Sequence, residues 1–374
     1  MKVHLFLFKT ILPTFAITFL VLAIISPTGC KSSSEGLQIL EGDFTVPTLE
    51  DVKIASDRQI QLYFSKEINL GSCTVCNSEN SEKISSSISY TENNTCACVN
   101  LENPTEIGLS YILEGEVKDA NENTLTFSIP FTGYNSRLPL IIFSEVLNAA
   151  DSSTGHYEFV EFYVLKSGNT AGLEFISAGD GEAKKYTFPT IEVSEGEYIV
   201  LHLRVPTDSE GEFITDGRVN ELEEDLTLSY ALDSLNTARD LWVLNSSARI
   251  SPSDVLLLQN SADSSVMDAV LFALSSATSW KTSYASYLTL VEESKKWKDS
   301  EGNFTSSIES ACNCDSVTYK RSLSRQGVES LTTEDTTSSA SDWIVTGVYN
   351  DRSGTYYSTP GYTNSTVEYV KPTS

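Results

Sequence analysis

Apolar and polar residues alternate with a period of two along most of the chain. Ile60, Leu62 and Phe64 alternate with polar neighbours, as do Leu125, Phe127, Ile129 and Phe131. Successive side chains of a strand point to opposite faces, so this period predicts half-buried antiparallel strands between Asn, Asp, Gly and Ser turns. The alternation returns at Tyr198–Leu203. The expected fold class is all-β. One stretch breaks the pattern. Between Ser276 and Lys298, Trp280, Tyr284, Tyr287, Leu288 and Val291 recur at helical spacing, which predicts an amphipathic helix laid on a sandwich.

The first thirty residues follow a different rule. Lys2 and Lys9 precede the apolar run Ile11–Ile25, and a short turn ends in Gly29-Cys30. A basic segment, an apolar segment and a small residue before the cut make a secretory signal. The run is shorter than the roughly 20 residues of a spanning helix and carries Pro13. A cysteine at the cut resembles a bacterial lipoprotein signal. That resemblance implies removal of residues 1–29, acylation of Cys30 and a tether over residues 30–43, including the Ser-rich Lys31–Gly36. The implied location is the bacterial outer membrane, lipid-anchored and surface-exposed, with a periplasm-facing placement as the alternative. Lys31 is not an acidic retention signal.

Charge narrows the partners. The chain of 374 residues carries −26, and loss of Lys2 and Lys9 with the signal takes it to −28. Affinity for nucleic acid depends on Lys and Arg neutralising phosphates, so no nucleic-acid partner is expected. Anionic headgroups would repel the surface as well, which leaves the N-terminal lipid as the membrane bond. Mature length, about 345 residues, suffices for two domains.

Six cysteines follow Cys30: Cys73, Cys76, Cys96, Cys98, Cys312 and Cys314. An even number in an exported chain predicts disulfides. Cys73/Cys76 are expected to bridge to Cys96/Cys98, with the pairing open, and Cys312 with Cys314 to close a small ring. A four-thiolate zinc site from CxxC plus CxC is the alternative, better suited to a reducing compartment.

Two resemblances organise the rest. Val46–Ile68 and Tyr111–Phe131 resemble bacterial Ig-like domains of surface proteins, with a late motif at Val117-Lys118-Asp119-Ala120-Asn121-Glu122-Asn123-Thr124-Leu125. Glu122 stands where that family carries Gly. The Ig-like domain is assigned to residues 44–132 and a linker to 133–139. Residues 140–368 resemble a lamin-tail domain, through four motifs. These are Ser144-Glu145-Val146, Glu158-Phe159-Val160-Glu161-Phe162, Ser322-Leu323-Ser324-Arg325 and Thr359-Pro360-Gly361-Tyr362-Thr363-Asn364. Val164 replaces the family's Asn. The resemblance implies a second Ig-like sandwich, here with insertions near 207–240 and 276–303.

Motifs of catalysis are missing from the sequence. His156 and His202 stand in no HExxH, and there is no Gly-x-Ser-x-Gly or Gly-rich phosphate loop. Glu158 and Glu161, three apart in a strand, point to opposite faces, which favours structural roles. Asp119, Asn121 and Asn123 begin like an EF-hand loop, but Thr124 and Pro130 occupy its Gly and Glu positions, so a turn is expected. Glu221, Glu223, Glu224 and Asp225 are the candidate Ca²⁺ ligands; otherwise no cofactor is expected. The function expected is non-enzymatic: binding, adhesion or envelope scaffolding toward a protein or glycan ligand. A surface metal-dependent hydrolase subunit and a Ca²⁺-dependent binder are the alternatives.

Overall fold

The computed structural model describes residues 43–371, apart from 151–156, 180–182, 216–217, 224–225, 227–234, 236, 245, 247–248, 335 and 347–357. The signal, Cys30 and His156 lie outside the described residues.

Eight strands form the first sandwich: β1 (Leu49–Ser56), β2 (Gln59–Phe64), β3 (Asn69–Asn77), β4 (Lys83–Ile84), β5 (Ser86–Thr91), β6 (Cys96–Leu101), β7 (Ser110–Lys118) and β8 (Thr124–Thr132). They make two four-stranded sheets, β1-β2-β6-β5 and β4-β3-β7-β8. The inward set holds Ile60, Leu62, Val75, Ala97, Val99, Leu113 and Val117, each fully buried. Ile60 and Leu62 among them are the residues that the period-two pattern of β2 selects. Burial of that set is the main favourable term, worth roughly 1.5–3 kcal/mol per large side chain.

The turn between β7 and β8 explains the Asp119 motif. Asp119 Oδ1 accepts from the backbone N–H of Asn121 and Asn123, both at 2.9 Å, and Oδ2 accepts from Asn123 Nδ2 and Lys66 Nζ. The Asn123 side chain and these N–H groups hold the Asp119 carboxyl below its ordinary range. Glu122 sits in the left-handed region at φ 66°. There a Cβ is a steric liability that Gly lacks. Glu122→Gly is therefore expected to raise the melting temperature despite losing the exposed ion pair to Lys118. An unchanged or lower melting temperature would show that the ion pair outweighs the backbone penalty.

Residues 133–139 are docked rather than free. Tyr134 N–H donates to Thr105 Oγ1, Asn135 Nδ2 to the carbonyls of Asn169 and Ala171, and Arg137 pairs with Glu192. They lead straight into the second sandwich.

Its first ten strands are β9 (Leu140–Leu147), β10 (Phe159–Lys166), β11 (Gly168–Asn169), β12 (Leu173–Ser177), β13 (Lys184–Thr187), β14 (Glu192–Val193), β15 (Tyr198–His202), β16 (Arg239–Trp242), β17 (Asp254–Asn260) and β18 (Val266–Ala273). Five short ones follow: β19 (Trp297–Lys298), β20 (Cys312–Asn313), β21 (Leu323–Arg325), β22 (Ser338–Ser339) and β23 (Trp343–Val345). The main sheets run β16-β15-β10-β9-β21-β23 and β13-β12-β17-β18-β20. Between them lies a core that includes Phe143, Phe162, Phe175 and Phe188, in ring contacts of 5.1–6.2 Å. Strands in two-sheet sandwiches thus account for nearly all regular structure among the described residues: the fold is all-β.

The helix is shorter than its pattern. α1 covers Ala285–Ser294, behind a 3-10 turn at Thr282–Tyr284. Trp280 precedes both and is tied by Nε1 to the Ser306 carbonyl at 2.8 Å. Lys295, at φ 57°, ends the helix. Val291 and Tyr284 face the core, and Tyr287 and Leu288 pack on it. The Tyr284 hydroxyl donates to the Ser253 carbonyl at 3.1 Å, satisfying a polar atom that burial would otherwise penalise.

Disulfides are expected of the six cysteines; in this structure all six stand as free thiols. The strand register gives the reason. Cys73 lies on the core side of β3 with Val75, whereas Cys76 opposes Ile112 on its outer side. Cys96 and Cys98 occupy the outer side of β6, opposite Tyr63 and Gln61, while Ala97 and Val99 face the core. Packed sheets stand roughly 10 Å apart, so neither Cys73 nor Cys76 can reach Cys96 or Cys98. For the same reason the four thiols do not converge as a zinc site. Cys312 is buried in the second core, and the Cys314 thiol donates to the Pro252 carbonyl at 3.1 Å. Burial pushes the Cys73 thiol up to about 11 and that of Cys314 to about 12, which keeps both protonated and unreactive.

Candidate functional site

A group of buried polar side chains lies on the outer face of β9 and β10. Phe143, Val146, Val160 and Phe162 turn toward the core. Glu145 and Glu161, directly opposite each other, turn away from it. The ladder is irregular between Glu161 and Phe162. In an unroofed sheet such carboxylates would be solvated, yet both are fully buried. The roof is the segment Thr359–Asn364, more than 190 residues further along the chain.

Each motif residue of that segment has a partner. Glu145 accepts from the Thr359 backbone N–H at 2.9 and 3.0 Å and from its Oγ1 at 3.1 Å. It also accepts from Ser322 Oγ and Ser324 Oγ. Glu161 Oε2 accepts from Gly361 N–H at 2.5 Å. Asn364 Nδ2 donates to the carbonyls of Ser144 (3.0 Å) and Arg325 (2.8 Å), and Asn364 Oδ1 accepts from Thr359 Oγ1. Gly361 must be glycine: its φ is 83°, and a Cβ would stand 2.7 Å from Ala238 Cβ.

Burial raises both carboxyls. The Glu145 carboxyl is raised to about 7, against the pull of its donors. Glu161 is raised well above its ordinary value by burial and then by the charge of Glu145. Two facing carboxylates cannot both ionise cheaply. Glu145 has the donors to carry the charge. Glu161 has fewer, the Gly361 N–H and the Ser144 hydroxyl, so the shared proton belongs on Glu161. The pair is closed off by its own chain, and its chemistry is that of a clasp.

Glu158 is not brought to this pair. Its carboxylate meets Arg204 Nε at 2.5 Å. Nearby, His202 stacks on Trp242 with centroids 3.9 Å apart, and its Nε2 lies 3.8 Å from Asp240 Oδ1. No motif marked Asp240 or Trp242, because β16 lies alongside β15 only through the parallel pairing that follows the acidic insertion. Of the candidate Ca²⁺ ligands, Glu224 and Asp225 lie outside the described residues. Glu221 is buried, and its Oε2 accepts from Asp240 N–H at 2.7 Å. Glu223 is exposed, and Arg239 Nη1 binds the carbonyls of both Glu221 and Glu223. A guanidinium thus already serves the polar groups of this turn. Among the described residues, no group of three or more His, Cys, Asp or Glu gathers as a metal site. Nor is any helix among them long and apolar enough to cross a membrane.

An uncharacterized protein of Treponema pallidum (strain Nichols) is 29% identical over 167 residues, covering 44% of this chain and 40% of that one. Among solved structures, the N-terminal part of the bacterial S-layer protein SbsC shares 16% identity. It covers 61% of this chain and 44% of its own, with a TM-score of 0.24. A DUF4876 family protein from Bacteroides thetaiotaomicron shares 11% identity over 81% of this chain and 96% of that chain, with a TM-score of 0.27. At such scores neither structure bears on this fold or its function. The chain spans less than half the length of the Treponema relative and of the SbsC structure. Residues 139–345, more than half of the chain, match the family described as TP_1001_2nd, protein second domain, and the protein belongs to that family.

Proposed function

We propose that this protein is a lipid-anchored surface module of a bacterial outer membrane. Its role is non-enzymatic binding, adhesion or envelope scaffolding. Acylated Cys30 would hold it to the membrane, and the Ser-rich segment behind it would give reach. Two sandwiches would then present their loops to a protein or glycan ligand, as rigid scaffolds do. The observation that carries this reading is the clasp of Glu145, Glu161, Ser322, Ser324, Thr359, Gly361 and Asn364. These are the residues that resemble a lamin-tail domain, and their polar atoms are engaged with one another. Motif residues that bind each other fix a fold rather than turn over a substrate. This supports a lamin-tail-like module with its ligand-facing groups elsewhere, on loops.

The test is protease shaving of intact cells, with a periplasmic protein as control. Digestion of this protein while the control survives is the expected result. Protection until the outer membrane is opened would remove surface adhesion and leave an envelope-assembly role facing the periplasm. Recovery in the soluble fraction after Cys30→Ser, with wild type in the membrane fraction, is expected if the lipid is the anchor.

A further inference from the structure

Cys96 and Cys98 stand side by side on the outer face of β1-β2-β6-β5. Cys96 opposes Tyr63 on one side and Thr91 on the other, and Cys98 opposes Gln61 and Ser89. The Cys98 thiol is in hydrogen-bonding contact with that of Cys96. The two residues are 1% and 4% exposed. Their cover is the side chains of the same face, where Ser89 and Thr91 beside them are exposed.

Such a pair is poorly placed to become a cystine. Residues two apart in a strand have Cα atoms roughly 6.6–6.8 Å apart. That is the upper limit for a disulfide, which also needs Cβ atoms about 3.5–4.5 Å apart. Here the Cβ vectors are parallel, and β6 is hydrogen-bonded to β2 and β5 on both sides, so it resists the kink that closure requires. A bridging cation has no such difficulty. With metal–sulfur bonds of about 2.3 Å, a two-coordinate ion spans roughly 4.6 Å between sulfurs, within reach of rotamer changes alone. Zinc sites want four ligands, and none gather here. Thiolates select soft cations, Cu(I) among them.

We propose that Cys96 and Cys98 form a two-coordinate dithiolate site for a monovalent soft cation of the Cu(I) class. Binding exchanges two thiol protons for one metal ion. Two S–H bonds break, two metal–sulfur bonds form, and two protons leave to solvent. Copper enters and stays as Cu(I), so no electron is transferred. Cys312 and Cys314 are the internal contrast. Both belong to the second hydrophobic core, whereas Cys96 and Cys98 lie on the outer face of their sheet under side chains alone, so Cys312 and Cys314 take up no metal in the native state.

The reduced full-length protein, solubilised in detergent, is titrated anaerobically with Cu(I) against a chromogenic Cu(I) chelator. One Cu(I) per chain is expected, lost in C96S/C98S and kept in C312S/C314S. A wild-type melting curve for C96S/C98S shows that the loss is not unfolding. A second measurement needs no variant: bound Cu(I) should protect Cys96 and Cys98 from alkylation and show two sulfur neighbours by X-ray absorption. Absence of uptake, uptake unchanged in C96S/C98S, or a Cys96–Cys98 cystine in natively purified protein would each overturn the proposal.

Discussion

Arg325→Ala is expected to destabilise the protein by about 3–5 kcal/mol, the usual cost of stranding one partner of a buried ion pair. Arg325 on β21 and Asp268 on β18 belong to the two facing sheets, 2% and 0% exposed at their side chains. Arg325 Nη1 meets Asp268 Oδ2 at 3.1 Å across the core, and the same oxygen accepts from Phe143 N–H at 2.8 Å. Burial pulls the Asp268 carboxyl upward, and the charge of Arg325 is the strongest opposing influence. Without the guanidinium, Asp268 must either ionise in an apolar interior or take up a proton. Both options cost stability. Against a typical total of about 5–15 kcal/mol, the loss is large. Urea unfolding of wild type, R325A and R325A/D268N measures it. The double variant should recover part of the loss, because a neutral amide needs no counter-charge. A loss below about 1 kcal/mol in R325A would show that the pair does not bind the sheets together.

The second large effect concerns pH and the clasp. Glu145 and Glu161 are both raised above their unfolded values. A carboxyl whose pKa is raised on folding binds protons more tightly in the native state. Its contribution is complete below the unfolded value, about 4.3, and is lost as pH rises through the folded value. The relevant window therefore runs upward from about pH 4.5, through the value of about 7 for Glu145, and beyond it for Glu161. For Glu145 alone the shift corresponds to about 3 kcal/mol of stability lost across the window. Carboxylates held low by hydrogen bonds, such as Asp299 and Asp315, work in the opposite sense and lose their contribution in acid. Glu161→Gln separates the two trends. It keeps an acceptor for Gly361 N–H but has no proton to lose. Melting temperatures between pH 5 and 9 should fall more shallowly in E161Q than in wild type. Parallel curves would mean that the pair does not share a proton.

How far these features were legible in the sequence follows from the range of the forces involved. Asp119 is an example of a local one. Its turn is built within five residues, and the spacing of Asp, Asn and Asn already states it. The alternation of Ile60, Leu62 and Phe64 marked both a strand and its buried face. The stripe of α1 marked a core-facing helix. The helix starts later than the stripe because Trp280 packs on the same core from a non-helical segment, and periodicity cannot separate the two. The placing of the cysteines turns on topology. Even number and export favoured disulfides, but which face each thiol occupies depends on strand register, and a shift of one residue reverses it.

The clasp shows the same division more sharply. Its residues were recognisable as four separated motifs, and the opposite-face rule kept Glu158 away from Glu161. Nothing in the spacing joined Glu145 to Glu161 or placed Thr359 and Gly361 above them. That juxtaposition needs β9 beside β10 and the later segment folded back across both. The strand-forming periods, the all-β class, the turn at Asp119 and the acidic balance are already written in the linear chain, because each rests on composition or on neighbours a few residues apart. The carboxyl pair, the Arg325–Asp268 tie, the separation of the other cysteines and the side-by-side thiols of β6 with their cover come into being on folding. Those depend on sheet order and register, which are set by burial summed over the whole chain.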